Sequence, residues 1–214
     1  MRWVSMTAFI THCWRKWRPR PERVWRLCLL ALLLLAGPAR AGVEFEQMRL
    51  ERQEGELLMH VSLKLELGAA VEEALTRGVA VYFVAEAELM RDRWYWYDRR
   101  LGQVSRYYRL AYQPLTRQWR LQVSSEPLQA GGAGSAIAQT FDSLQAALDV
   151  VRRQSGWRLA DVADLDPEAR QYVNYRFRLD LSQLPRPFQI GVASQPDWSL
   201  NLTRMQRIAA EVRP

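Results

Sequence analysis

The sequence predicts a mainly β protein, an antiparallel β-sandwich of immunoglobulin-like Greek-key type with one amphipathic helix. Three observations favour this fold class. Apolar and polar residues alternate in several segments, as they do in half-buried strands. Turn residues separate these segments at intervals of roughly 10 residues. Only one segment has a clear helical pattern, and strands do not alternate with helices as they would around a parallel sheet.

The first two strands are predicted as a hairpin. Residues 57–67 carry apolar side chains at every odd position and mostly polar side chains between them, which is the period of a half-buried strand. Residues 43–53 form a looser strand. Glu54 and Gly55 separate the two segments and are typical of a tight turn. Two antiparallel strands are therefore expected at the start of the folded domain.

Three more strands are expected before the helix. A short helical turn over residues 70–77 ends at Gly78, a residue suited to the left-handed position that follows a helix. Alternation resumes in residues 79–90, 103–112 and 118–124. A loop containing proline separates the last two segments, so we expect them to form another hairpin.

The amphipathic helix is predicted after a glycine-rich loop over residues 126–135. Asp142 is suited to accept backbone hydrogen bonds at the start of the helix, and apolar residues follow at helical spacing. Gly156 is expected to end it. The remaining strands are predicted over residues 157–160, 173–181, 188–193 and 198–202.

The first 41 residues have the features of a secretory signal peptide. A long basic stretch precedes an uncharged apolar run at residues 27–36, which is too short to span a bilayer comfortably. Pro38 interrupts the helix, and an A-x-A cleavage site ends at Ala41. We expect cleavage after Ala41, and residues 42–214 then form a single domain in the periplasm. A leader retained as a membrane anchor is the alternative.

The positive charge of the chain lies in this leader. The formal net charge is +7, and residues 1–41 contain eight Lys or Arg residues and one Glu, which leaves residues 42–214 neutral. Both cysteines, Cys13 and Cys28, are also in the leader. A neutral, exported domain is a poor candidate for binding nucleic acid, and a chain without cysteine folds without a disulfide.

The mature chain is poor in the residues of common catalytic and metal sites. His60 is its only histidine, so a zinc site, a Cys-His nucleophile or a Ser-His-Asp triad has almost no ligand or base available. The glycine motifs that bind phosphate do not occur. We therefore predict no catalytic residues, no metal site and no cofactor.

Glu86 and Glu88 offer one route to catalysis. They project from the same face of a predicted strand, and a glycoside hydrolase uses paired carboxylates as acid and as nucleophile or base. Trp94 and Trp96 would then form a platform for a sugar. This envelope glycan hydrolase is the alternative function, although carboxylates two residues apart are common on solvated strands.

A stretch rich in arginine and aromatic residues is more distinctive. Residues 91–120 carry a net charge of +6, whereas residues 42–90 carry a net charge of −6. Arginine together with tyrosine and tryptophan is typical of binding hot spots. We therefore predict a binding face made of Arg93, Trp94, Trp96, Arg100, Arg106, Tyr108 and Trp119. Pairing of acidic with basic strands inside the protein is the structural alternative.

Several segments, taken together and in order, resemble a known family. They include RGVAVYFV at residues 77–84, RWYWYD at residues 93–98 and LDLSQLPRPFQ at residues 179–189. These segments are similar to a proteobacterial family known only as domain of unknown function 4390. The resemblance implies an exported bacterial protein whose gene often lies beside those of a membrane sensor kinase and a response regulator. It implies no activity, catalytic residue or cofactor.

The sequence thus predicts a non-enzymatic periplasmic binding or accessory protein of the bacterial envelope. The expected partner is another envelope protein, with the sensing domain of a membrane kinase as one candidate. Contact with the membrane is expected only if the leader is retained as an anchor, and no nucleic-acid partner is expected.

Overall fold

The computed structural model of the chain describes residues 42–93, 95, 97–128, 136–166, 169–185 and 195–208. Strands predominate in these residues and are numbered here in chain order. The strands are β1 (Gly42–Gln53), β2 (Glu56–Glu66), β3 (Val81–Arg91), β4 (Arg99–Gln113), β5 (Gln118–Ser124), β6 (Ile137–Phe141), β7 (Arg153–Asp161), β8 (Gln171–Leu179) and β9 (Asn201–Arg207). The helices are α1 (Ala69–Thr76) and α2 (Leu144–Arg152), and short 3-10 turns cover Val162–Asp164, Leu181–Gln183 and Pro196–Trp198.

The strands form two antiparallel sheets. One sheet has three strands in the order β1-β2-β7, and the other has six in the order β6-β5-β4-β3-β8-β9. β3, β4 and β5 pair in sequence, and β8 returns later in the chain to pair with β3, as the fourth strand of a Greek key does. The predicted antiparallel β-sandwich is therefore confirmed.

The predicted hairpin between β1 and β2 is also confirmed. The two strands pair from one end to the other with one bulge at Glu46, and Glu54 and Gly55 at the turn have φ angles of 53° and 83°. Positive φ at both central residues is the geometry of a type I′ turn, whose twist matches that of the flanking strands. Gly55 adopts this conformation without strain, since it has no Cβ.

The core lies between the two sheets. The apolar residues at odd positions of β2 and β3 are buried, as their alternation predicts. The largest fully buried side chains include Trp157, Tyr108, Tyr175, Phe83 and Phe177. The rings of Phe83 and Phe177 stack with their centroids 5.8 Å apart. Each large apolar side chain contributes about 1.5–3 kcal/mol when it is removed from water, so this cluster is a main source of stability.

The strands β4 and β7, which belong to different sheets, approach each other closely at Gly102. A Cβ atom on this residue would overlap the carbonyl oxygen of Leu159 and lie 3.7 Å from the Cβ of Ala160. A residue without a side chain is needed where two backbones come this near. Gly102 therefore sets the spacing of the two sheets at this point.

The helix α2 differs from its prediction at both ends. Ser143 and not Asp142 caps the helix, because the Ser143 side chain accepts a backbone hydrogen bond of 3.2 Å from the first turn. The helix ends at Arg152, whose guanidinium donates two hydrogen bonds to the carbonyl oxygen of Leu65, and the chain continues directly into β7. Gly156 lies inside β7 with a φ of 65° and does not end the helix.

Two strands also differ from their predictions. β6 is not predicted, because four of its five residues are exposed and give no alternating pattern. The predicted last strand over residues 198–202 is displaced along the chain, since Trp198 lies in a 3-10 turn and β9 begins at Asn201.

Four predictions fall wholly or partly outside the described residues, namely the signal peptide over residues 1–41, the side chains of Trp94 and Trp96, the glycine-rich loop over residues 126–135, and the strand over residues 188–193. In the part of the chain that the structure describes, no helix is long and apolar enough to cross a membrane.

Candidate functional site

The connection between β3 and β4 presents exposed aromatic and basic side chains. We call the described residues among 92–100 the β3–β4 tip; Trp94 and Trp96 lie outside the described residues. The side chains of Tyr95 and Tyr97 are 75% and 90% exposed. Arg93, Arg99 and Arg100 are also exposed. Exposed aromatic rings in a group are typical of surfaces at which proteins bind other molecules.

The base of the β3–β4 tip is fixed to β8. One carboxylate oxygen of Asp98 accepts a hydrogen bond of 2.6 Å from the hydroxyl of Tyr172, and the other accepts one of 3.3 Å from the backbone N of Arg93. The hydrogen bond to Asp98 raises the pKa of Tyr172 to about 12. The backbone N of Asp92 donates to the carbonyl oxygen of Arg170 at 2.8 Å. These contacts hold the ends of the tip while its tyrosine rings face solvent.

The tip has three arginines, Arg93, Arg99 and Arg100, and two aspartates, Asp92 and Asp98, so its net charge is +1. At the end of β3, Arg91 lies 3.9 Å from a carboxylate oxygen of Asp166. Arg100 lies 3.6 Å from Glu88, although its side chain remains more than half exposed. Among the described residues, neither Arg93 nor Arg99 forms an ion pair within 4 Å. Their guanidinium groups therefore give the tip a positive potential that favours an anionic contact.

Three residues of the predicted binding face turn instead toward the second sheet: Tyr108 and Trp119 are buried, and Arg106 is half-buried. Tyr108 and Trp119 are 2% and 8% exposed, so neither ring is offered to a partner. The guanidinium of Arg106 lies 4.9 Å from the centroid of the Trp157 ring and donates to the carbonyl oxygen of Ser155 at 3.4 Å. The reason is strand geometry: Arg106 and Tyr108 occupy alternate positions of β4 that point toward the second sheet.

A polar cluster accompanies these residues inside the sandwich. The hydroxyl of Tyr175 donates to Oε1 of Gln154 at 3.0 Å, and Nε2 of Gln154 donates to the carbonyl oxygen of Val151 at 3.0 Å. Burial raises the pKa of Tyr175 well above its ordinary value and that of Tyr108 to about 12. Both phenols are thus neutral at physiological pH, and the cluster links β7 to β8.

Glu86 and Glu88 lie on the outer face of β3, as the alternation predicts. Glu86 lies 3.8 Å from Arg178 on β8, and Glu88 lies 3.6 Å from Arg100 on β4. Each carboxylate is therefore part of an ion pair between neighbouring strands, which is the structural alternative raised by the sequence.

A shallow depression of about 270 Å³ lies on the outer face of the three-stranded sheet. It is lined by Gln47, Arg49, Glu51, His60 and Ser62. Nε2 of His60 lies 3.8 Å from a carboxylate oxygen of Glu51. Over the described ranges, no three or more His, Cys, Asp or Glu side chains are grouped to hold a metal ion.

The sequence alone points to the region of the tip but not to its details. Arg93 and Arg100 are predicted site residues that the structure places at the tip. Tyr95 and Tyr97 stand in the aromatic run, yet nothing in the sequence indicates that their rings are exposed. The contact of Tyr172 with Asp98 joins residues 74 positions apart and leaves no signal in a single sequence.

Comparison with known proteins gives one match. A model of the family described as domain of unknown function (DUF4390) matches residues 40–208. No curated protein and no solved structure matches the chain.

Proposed function

The chain belongs to the domain of unknown function 4390 family, and we propose that it is a non-enzymatic binding protein. We place its role in the bacterial envelope, where it contacts a partner protein through the β3–β4 tip. One observation carries this proposal: two exposed tyrosines and three exposed arginines share a connection whose ends are hydrogen-bonded to the body of the protein.

The composition of the tip supports a protein partner. Tyrosine and arginine are enriched among the residues that contribute most to protein–protein binding, because they combine a large apolar area with specific polar contacts. A connection held at its base loses little conformational entropy on binding. The exposed Arg93 and Arg99 favour a partner surface with exposed carboxylates.

The proposed compartment rests on the sequence of residues 1–41, with its basic stretch, short apolar run and A-x-A site. A domain exported in this way would meet the periplasmic parts of envelope proteins. The sensing domain of a membrane kinase is the candidate partner that the family resemblance suggests.

The ion pairs of Glu86 and Glu88 support a binding role over the glycan hydrolase alternative. Glu88 lies 3.6 Å from Arg100 on β4, and Glu86 lies 3.8 Å from Arg178 on β8, so each carboxylate already faces a cation of a neighbouring strand. Glu86 and Glu88 are therefore better explained as links between strands.

We expect tip variants to lose the partner. The triple variant R93E/Y95A/Y97A removes two rings and reverses one charge at exposed positions, so recovery of the partner should fall at least about 30-fold. The measurement is affinity purification of the tagged whole chain from cell envelopes, with the bound proteins quantified by mass spectrometry.

A matched control lies at the other end of β4. The double variant L115A/R120E also removes one exposed apolar side chain and reverses one exposed charge, but at the β4–β5 hairpin. It should recover the partner as the unaltered protein does. If the tip variant, at an unchanged melting temperature, recovers as much partner as the unaltered protein does, the tip is not the contact surface.

A further inference from the structure

The four edge strands of the described sheets differ in charge. Strands at a sheet edge are commonly protected by charged side chains, which prevent pairing with another strand. The edges β1, β7 and β9 follow this rule, and their charged residues include Glu44, Arg49, Glu51, Arg153, Arg158, Arg204 and Arg207. The edge β6 has the sequence Ile-Ala-Gln-Thr-Phe over residues 137–141, without charge, proline or glycine.

The unprotected edge β6 is accessible. Its residues 137–140 are exposed, and the side chain of Ile137 is 69% exposed. β6 pairs with β5 on one side, and no strand among the described residues pairs with its other side. Within the described ranges, the backbone N–H and C=O groups along this side have no strand partner, and this is the edge that an added strand pairs with.

The sequence of β6 is complementary to itself in antiparallel pairing. With Gln139 at the centre, Ile137 lies opposite the partner subunit's Phe141, and Ala138 lies opposite the partner subunit's Thr140. Ile137 and Phe141 share a strand face, because they pair with Val123 and Trp119 of β5. The two large apolar residues, Ile137 and Phe141, would thus meet each other across the contact, and the two Gln139 amides would meet at the twofold axis.

We propose that β6 is the contact between two copies of this chain. The two β6 strands pair antiparallel about a twofold axis, and the two six-stranded sheets join into one continuous sheet. Because β6 is uncharged, no like charges face each other at the axis, as the two Arg204 side chains would if β9 paired with its own copy in the same centred register. This inference does not depend on the proposed function, since β6 contributes nothing to the β3–β4 tip.

The expected dimer is weak and depends on concentration. A strand of five residues buries less surface than the roughly 1,200 Å² of a stable interface. We expect dissociation constants between about 10 µM and about 1 mM. Sedimentation velocity on the whole chain, from about 5 µM to about 500 µM, should show the monomer converting to the dimer.

Charge variants at Gln139 test the pairing itself. Q139K places two positive charges opposite each other at the axis and should weaken dimerisation at least about tenfold, and Q139E should do the same with negative charges. An equimolar mixture of Q139K and Q139E should restore dimers, since the opposed charges then attract. T203K, at an exposed position of the edge strand β9, is the matched control and should leave dimerisation unchanged.

A monomer at every concentration would overturn the proposal. So would a Q139K variant that dimerises as tightly as the unaltered chain, a mixture of Q139K and Q139E that stays monomeric, or loss of the dimer in T203K.

Discussion

Replacement of Trp157 by alanine is expected to lower the free energy of unfolding by about 3–5 kcal/mol. Trp157 is 1% exposed and is among the largest side chains of the core. Its ring lies 6.3 Å from the ring of Tyr175 in the six-stranded sheet and also lies under the guanidinium of Arg106. Truncation leaves a cavity between the sheets and removes the aromatic ring that the guanidinium of Arg106 contacts. Urea unfolding followed by circular dichroism measures the loss.

The conservative variant W157F separates packing from hydrogen bonding. The indole Nε1 of Trp157 is buried and has no hydrogen-bond partner among the described residues, so phenylalanine removes no such bond. W157F should therefore be much less destabilised than W157A. Equal unfolding midpoints for W157A and the unaltered protein would contradict the position of this ring in the core.

Replacement of Gly102 by alanine is expected to destabilise the protein by about 3 kcal/mol, at the upper end of overpacking effects. The added Cβ would overlap the carbonyl oxygen of Leu159, which is a backbone atom and cannot rotate away. Relief requires β4 to move from β7, and this movement would disturb the contact between Arg106 and Trp157 nearby. The measurement is the urea midpoint of G102A.

The control for G102A is the same substitution at another strand glycine. A Cβ on Gly42 in β1 meets nothing within 4 Å, so G42A should leave the midpoint nearly unchanged. A G102A variant as stable as G42A would show that the backbones of β4 and β7 do not approach this closely at Gly102.

The strands in which apolar and polar side chains alternate most regularly are the ones that the sequence predicts well. In β2 every odd position is apolar and buried, and in β3 the same holds from Val81 to Leu89, because one face of each strand packs in the core. β6 gives no such signal, since it is short and exposed on both faces. The end of α2 is missed because Arg152 binds the carbonyl oxygen of Leu65, 87 residues earlier in the chain.

The candidate site is also predictable only in part, because composition marks its region of the chain but not the orientation of each side chain. The charge and aromatic content of residues 91–120 identify an unusual region, and Arg93 and Arg100 do lie at the tip. The pattern does not show which side chains of β4 turn inward. The inward position of Tyr108 depends on the register of β4 against β3. The burial of Trp119 likewise depends on β5, where its ring lies 4.8 Å from that of Tyr112.

Site-specific crosslinking in living cells tests the binding role of the β3–β4 tip most directly. A photoreactive phenylalanine analogue is placed at Tyr97, and in a parallel strain at Leu115, which is equally exposed at the opposite end of β4. Irradiation should join the position-97 protein to one envelope protein and give no such adduct from position 115. Absence of an adduct at position 97, or the same adducts from both positions, would contradict the tip as the contact surface.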